Sequence, residues 1–211
     1  QESKPYFDKG TASHIAILEP EKFKKLVIRG GKDRRQKEYK EAIANKTSEQ
    51  VVLPDGDYED VLRIKDAVSN STQVNKLLYH QDAKSEVSAF CIDEETGIKL
   101  KCRPDKVRPS KKDPSMDIII DLKTTADISK FNWSASKYNY DSQAYIYSTL
   151  FGYEFLFIVI DKKTHQIGLF DCSPDFYKRG EDKVRKASEA YDLFYKAKDF
   201  DPKQYFISKT L

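Results

Sequence analysis

The sequence predicts an α/β fold in which a central mixed β-sheet is flanked by helices. Three observations carry that prediction. Two short, strongly apolar runs, residues 116–123 and 153–161, have the length of buried central strands and end in charged residues. Residues 86–92 and 98–102 alternate in polarity around the turn signal Glu94-Glu95-Thr96-Gly97, as a β-hairpin does. Segments of helical spacing lie before, between and after these strands, so the order reads helices, three strands, helix, two strands, helix.

The elements follow in order. Residues 10–26 read as helical, with Ala12, Ile15 and Leu18 on one face. Glu19-Pro20-Glu21 breaks that stretch or starts a second turn, because proline is tolerated only at a helix start. Residues 29–57 are polar and carry the turn signals Gly30-Gly31 and Pro54-Asp55-Gly56. Asp57 is placed to cap a helix over residues 58–79, with Val61, Ile64, Val68, Val74, Leu77 and Leu78 facing inward. After the hairpin comes a charged loop with Pro104, Pro109 and Pro114, and then the first apolar strand. Helices are expected at residues 128–137 and 141–151, a strand pair at 153–161 and 165–172, and a last amphipathic helix over 174–198.

The chain has 211 residues, which suits one domain spanning residues 1–211 with a sizeable core. It opens on Gln1 rather than Met, so upstream sequence is expected. The longest apolar run, residues 155–160, is far too short to cross a membrane, and no apolar stretch follows the polar start as a signal peptide would. The net charge of +3 discriminates little between partners. Basic residues do cluster at 101–112 and 29–40, and on charge alone each cluster reads first as a solvated loop or helix face. Cys91, Cys102 and Cys172 are too few and too scattered for a disulfide framework or a structural zinc site, and fit reduced thiols inside a cell.

One constellation carries chemistry. Along a strand, side chains alternate, so Asp121 and Lys123 share a face while Leu122 points away. Arg103-Pro104-Asp105, expected on the neighbouring hairpin strand, brings a second carboxylate within reach. Two carboxylates and an ammonium suit Mg²⁺, with Mn²⁺ as the alternative ion. Taken alone, a strand ending in Asp-x-Lys more often marks charges leaving the core. Taken alone, His14 also reads as a satisfied buried histidine, and Tyr140 and Gln143 as a pair on a helix surface.

Four motifs in order bring a resemblance into view. They are Gly10-Thr11-Ala12-Ser13-His14 with Leu18-Glu19-Pro20-Glu21-Lys22-Phe23; Glu95-Thr96-Gly97-Ile98 with Cys102-Arg103-Pro104-Asp105-Lys106; Asp121 through Ile128; and Tyr140 with Gln143. Over roughly residues 7–160 the chain resembles RecE-type (exonuclease VIII) nuclease domains, of the PD-(D/E)XK superfamily that also holds RecB-like and lambda-exonuclease-like enzymes. The resemblance implies a restriction-endonuclease-like core. It implies metal ligation by His14, Asp105, Asp121 and the Leu122 carbonyl, with Lys123 catalytic and Tyr140 and Gln143 beside it. It further implies a 5′-to-3′ exonuclease on double-stranded DNA ends, leaving 3′ overhangs for a single-strand annealing protein. A ring-shaped homo-oligomer and a cytoplasmic, phage or prophage setting follow from the same likeness. Residues 109–115 lengthen a loop relative to that family, and most of its first helical segment is missing here. A RecB-like module of a larger machine and a catalytically inactive DNA-binding module are the rival expectations.

Overall fold

The computed structural model describes residues 5–94, 96–110, 117–197 and 201. Most of the extra loop expected at 109–115 lies outside the described residues, as do Glu95, Met116 and Lys198 at the edges of expected elements.

Helices α1 (Pro5–Leu18) and α2 (Pro20–Leu26) divide at the break expected at Glu19-Pro20-Glu21, because Pro20 cannot continue α1, and α1 begins before residue 10. The next segment, expected to be polar loop, instead holds β1 (Val27–Arg29), α3 (Lys37–Asn45) and β2 (Val51–Leu53). Strands β1 and β2 pair in parallel as a separate two-stranded ribbon. The expected helix over 58–79 is two helices, α4 (Asp55–Asn70) and α5 (Thr72–Leu78). Polar side chains cause the break: Ser71 Oγ caps α5 by accepting from the Val74 N–H at 3.4 Å, and the Asn75 amide donates back to the Val68 carbonyl at 3.2 Å.

The remaining elements are β3 (Lys84–Ser85), β4 (Ala89–Ile92), β5 (Lys99–Cys102), β6 (Lys106–Arg108), β7 (Ile118–Thr125), α6 (Phe131–Lys137), α7 (Tyr140–Phe151), β8 (Glu154–Asp161), β9 (Ile167–Asp171) and α8 (Pro174–Tyr191). The central sheet has the order β3-β6-β7-β8-β9. Strands β7 and β8 are parallel, joined through α6 and α7, and their neighbours are antiparallel, so the sheet is mixed as expected. One expectation needs correction. The hairpin β4–β5 is a separate two-stranded sheet, and the strand beside β7 is β6.

Alternation along β7 divides the core. Ile120 and Leu122 pack with Ile17, Ile64, Val68 and Leu78 from α1, α4 and α5. Ile119 packs on the other face with Phe131, Ala144, Phe155 and Phe157, under α6, α7 and α8. Further along the same strand, on the Ile119 face, the apolar residues give way to Asp121 and Lys123. No helix of the described residues is long and apolar enough to cross a membrane.

Candidate active site

The site is built on the second half of β7. Asp121 is 4% exposed there, and its neighbour on the same face, Lys123, brings Nζ to 2.5 Å from Asp121 Oδ2. The other carboxylate oxygen, Oδ1, accepts from Gln143 Nε2 at 2.7 Å. Gln143 comes from α7, which packs over this face of the sheet, so one long amide ties helix to strand.

Asp105 reaches the site from the connector between β5 and β6, not from a hairpin strand. Register explains its position. Lys106 pairs with Ile120 in antiparallel fashion, so Asp105 falls one step further along, beside Asp121. Its Oδ2 accepts from the Leu122 N–H at 2.7 Å. Leu122 thus works through its backbone, while its side chain is buried in the opposite core. His14, on α1, places Nδ1 3.7 Å from Asp105 Oδ2 and hydrogen-bonds the Leu122 backbone. The Tyr140 ring lies with its centroid 4.6 Å from Lys123 Nζ, a cation–π contact. The seven residues singled out in the sequence therefore meet around one strand end.

Three further residues take part that the sequence did not single out as site residues. Tyr147 hydrogen-bonds the Gln143 side chain and the Arg103 backbone, so it holds the amide that holds Asp121. Its signal was there to be read: it follows Gln143 by four positions on α7, one turn along the same face. Glu86 and Arg103 form an ion pair at 2.5 Å, and the Glu86 N–H donates to the Asp105 carbonyl at 3.2 Å. Glu86 does this from a left-handed backbone (φ 54°), a conformation that costs energy in a residue with a β-carbon. No sequence signal marks that strain.

The electrostatics are unbalanced. Burial pushes the Asp105 carboxyl up to about 7, and repulsion from Asp121 adds to it against the Leu122 N–H and Lys123. Burial pulls Lys123 down, but the negative charge of Asp121 against it outweighs burial, so the ammonium sits above its ordinary value and stays protonated. Burial lowers His14, with Asp121 opposing, which favours the neutral imidazole although its side chain keeps 32% exposure. Asp121 Oδ2 is buried and accepts no aligned hydrogen bond; its contact with Lys123 is an ion pair.

Two repelling carboxylates, one with an unsatisfied buried oxygen, sit beside a neutral imidazole and a backbone carbonyl. That donor set fits a hard divalent cation. Among the described residues no group of three or more His, Cys, Asp or Glu side chains stands ready-arranged to hold a metal, so binding would draw these groups together.

Residues 1–204 match the family model described as a PDDEXK-like domain of unknown function (DUF3799). The chain belongs to the DUF3799 family. The DUF3799 chain is similar in structure to a protein from Eubacterium rectale described as a putative exonuclease. The two are 11% identical at a TM-score of 0.53, with 100% of this chain and 78% of that chain covered. At that identity the likeness shows the fold alone: a mixed sheet flanked by helices. A second structure, SSO0001, is 18% identical over 72% of this chain and 69% of its own, at a TM-score of 0.35, too low to carry an argument. No curated protein matches the DUF3799 sequence.

Proposed function

We propose that this chain is a divalent-metal-dependent nuclease that hydrolyses phosphodiester bonds of DNA from an end. The observation that carries the reading is the convergence of Asp105, Asp121 and Lys123 at one end of β7, with an excess of buried negative charge. Asp105, Asp121, His14 and the Leu122 carbonyl are the groups that would hold Mg²⁺ or Mn²⁺. Such an ion supplies charge neutralisation at a phosphate and a bound water of lowered pKa. Lys123, held protonated, is suited to donate to a non-bridging phosphate oxygen as negative charge builds, or to hold the attacking water. It is a poor general base for the same reason. Gln143 fixes the rotamer of Asp121, Tyr147 fixes Gln143, and the Tyr140 ring steadies the Lys123 ammonium.

The finer reading rests on the RecE-type motifs. It is a 5′-to-3′ exonuclease acting on double-stranded DNA ends in the cytoplasm, as a ring-shaped homo-oligomer that hands 3′ overhangs to an annealing protein. The test uses linear duplex DNA labelled at one 5′ end beside a closed circle, with Mg²⁺, Mn²⁺ or EDTA. Metal-dependent release of labelled nucleotides from the linear DNA alone is expected. Lys123→Ala is expected to reduce the rate by about 10²- to 10³-fold. Cleavage of the closed circle would overturn the exonuclease reading. No cleavage of either substrate with either metal would overturn the nuclease.

A further inference from the structure

A chain of rings and ammonium groups leads outward from Lys123. The Tyr140 ring that meets Lys123 lies 6.0 Å, centroid to centroid, from the Tyr138 ring. Lys137 Nζ is 5.8 Å from the Tyr138 ring and 4.6 Å from the Trp133 ring. The series therefore reads Lys123, Tyr140, Tyr138, Lys137, Trp133, from the floor of the candidate site to the surface. Its inner member is packed: Tyr140 lies against Phe131 and Phe157 in the core. Its outer members are open, with Trp133 62% exposed and Tyr138 58% exposed. The turn from α6 into α7 places them. Asn139, between Tyr138 and Tyr140, takes the left-handed conformation (φ 57°) that asparagine tolerates better than most residues.

Two large rings left in water beside a buried site have no stability reason to be there. Scattered surface aromatics are ordinary, but these are joined to the site and to each other by a lysine. Among the described residues Lys137 has no carboxylate partner; its partners are the two rings. Aromatic faces set beside the uncompensated ammonium of Lys137 match the two surfaces of a nucleic-acid strand, its bases and its phosphates. A base inside a duplex has both faces covered by its neighbours, so rings of this kind select bases that are unpaired.

We infer that Trp133 and Tyr138, with Lys137 between them, form a stacking platform for unpaired DNA bases beside the reacting phosphate. The strand that enters the site is thus single-stranded, either a free single strand or the frayed end of a duplex. The placement of the phosphate rests on the nuclease reading; the binding of unpaired bases does not. Trp133 and Tyr138 are positioning residues here, acting on the bases that flank the site.

The protein carries its own probe, because Trp133 is the only tryptophan. The metal-free chain in EDTA, which does not cleave under the proposed mechanism, is titrated with an oligothymidylate of about ten nucleotides, within the ~4–16 typical of a single-strand site. A duplex of the same length, with both ends capped by non-nucleotide linkers that leave no base unpaired, serves as comparison. Quenching of tryptophan emission by the oligothymidylate and not by the capped duplex is expected. Trp133→Ala and Tyr138→Ala are each expected to weaken oligothymidylate binding, read by anisotropy of a labelled strand, by about tenfold. Trp133→Phe keeps a ring and is expected to restore most of that loss. Circular dichroism checks that the exposed-site variants stay folded.

Oligothymidylate binding with unchanged emission, wild-type affinity in both alanine variants, or equal quenching by the capped duplex would each overturn the platform. So would a gel-filtration shift from oligomer to monomer in Trp133→Ala without loss of DNA binding, which would make the rings a contact between copies. Cleavage without quenching removes the platform and leaves the nuclease; quenching without cleavage does the reverse.

Discussion

Two buried aspartates sit close together on the same side of the sheet, each against a lysine, and they are opposites. Asp141, at the start of α7, is 0% exposed and fully used. Its Oδ1 accepts from the Ser142 N–H at 2.8 Å and from Lys183 Nζ at 2.9 Å, and its Oδ2 from the same ammonium at 2.7 Å. Asp121 has one oxygen on Gln143 and the other without an aligned donor, and a second carboxylate stands beside it. A satisfied buried acid pins α7 to α8. An under-satisfied one beside a second acid is costly to the fold, and groups kept at such a cost cluster where chemistry is done.

The same substitution at both positions tests the contrast. Asp121→Asn is expected to lower hydrolysis by at least about 10²-fold. It should move stability by less than about 1 kcal/mol, because Asp105 is freed to ionise against Lys123. Asp141→Asn is expected to do the reverse: activity per folded molecule unchanged, stability lower by about 1–2 kcal/mol. That figure is discounted because Lys183 is partly in water and can turn outward. Urea titrations beside rate assays read both effects; equal losses of stability at the two positions would erase the distinction.

The α7–α8 contact around Asp141 offers a second way to sharpen it. A β-carbon at Gly180 would run into the backbone carbonyl of Asp141, which no rotamer change can relieve. Gly180→Ala is expected to cost about 3 kcal/mol, and wild-type stability would show that the helices separate freely there.

A further effect concerns pH. The fold raises Asp105 from 3.8 to about 7. Well below pH 3.8, folded and unfolded chains both carry the proton and the group costs nothing. Between pH 3.8 and about 7 the unfolded chain gives up the proton while the folded chain holds it, so stability falls across that window and is level above it. Asp105→Asn should therefore raise the melting temperature of the metal-free chain at pH 8 and leave it unchanged well below pH 3.8. A gain of roughly 2–4 °C per kcal/mol is expected for a chain of this size. A gain of equal size at both pH values would show that ionisation is not its cause.

Much of this was legible in the residues. Asp-x-Lys at the end of an apolar run places two charges on one strand face whatever the surroundings, and a Pro-Asp upstream supplies the partner. The mixed sheet with flanking helices was legible for the same reason: long apolar strands announce themselves. What escaped was short or polar. β6 is three residues long, and its buried Lys106 donates to Ser85 Oγ at 2.6 Å, so the strand that delivers Asp105 looked like loop while the longer hairpin looked like its carrier. β1 and β2 are three residues each and need one another across an intervening helix. Glu86 matters through a strained turn beside Asp105 that no local pattern encodes, and Tyr147 through a hydrogen bond to Gln143 of which the sequence shows only the helical spacing.

The Asp141 tie has a consequence for how this protein can change. It sits one residue from Tyr140 and two from Gln143, and it clamps the helix at the end where both project. A helix so fastened resists rolling about its own axis, so the angular setting of the amide on Asp121 is fixed by a joint with α8. The ledge of α6 carries no such fastening on its outer rings. Residues there can drift and retune which strand is gripped while the cutting geometry stands still, which makes α6 the place to alter first in redesigning what the protein accepts.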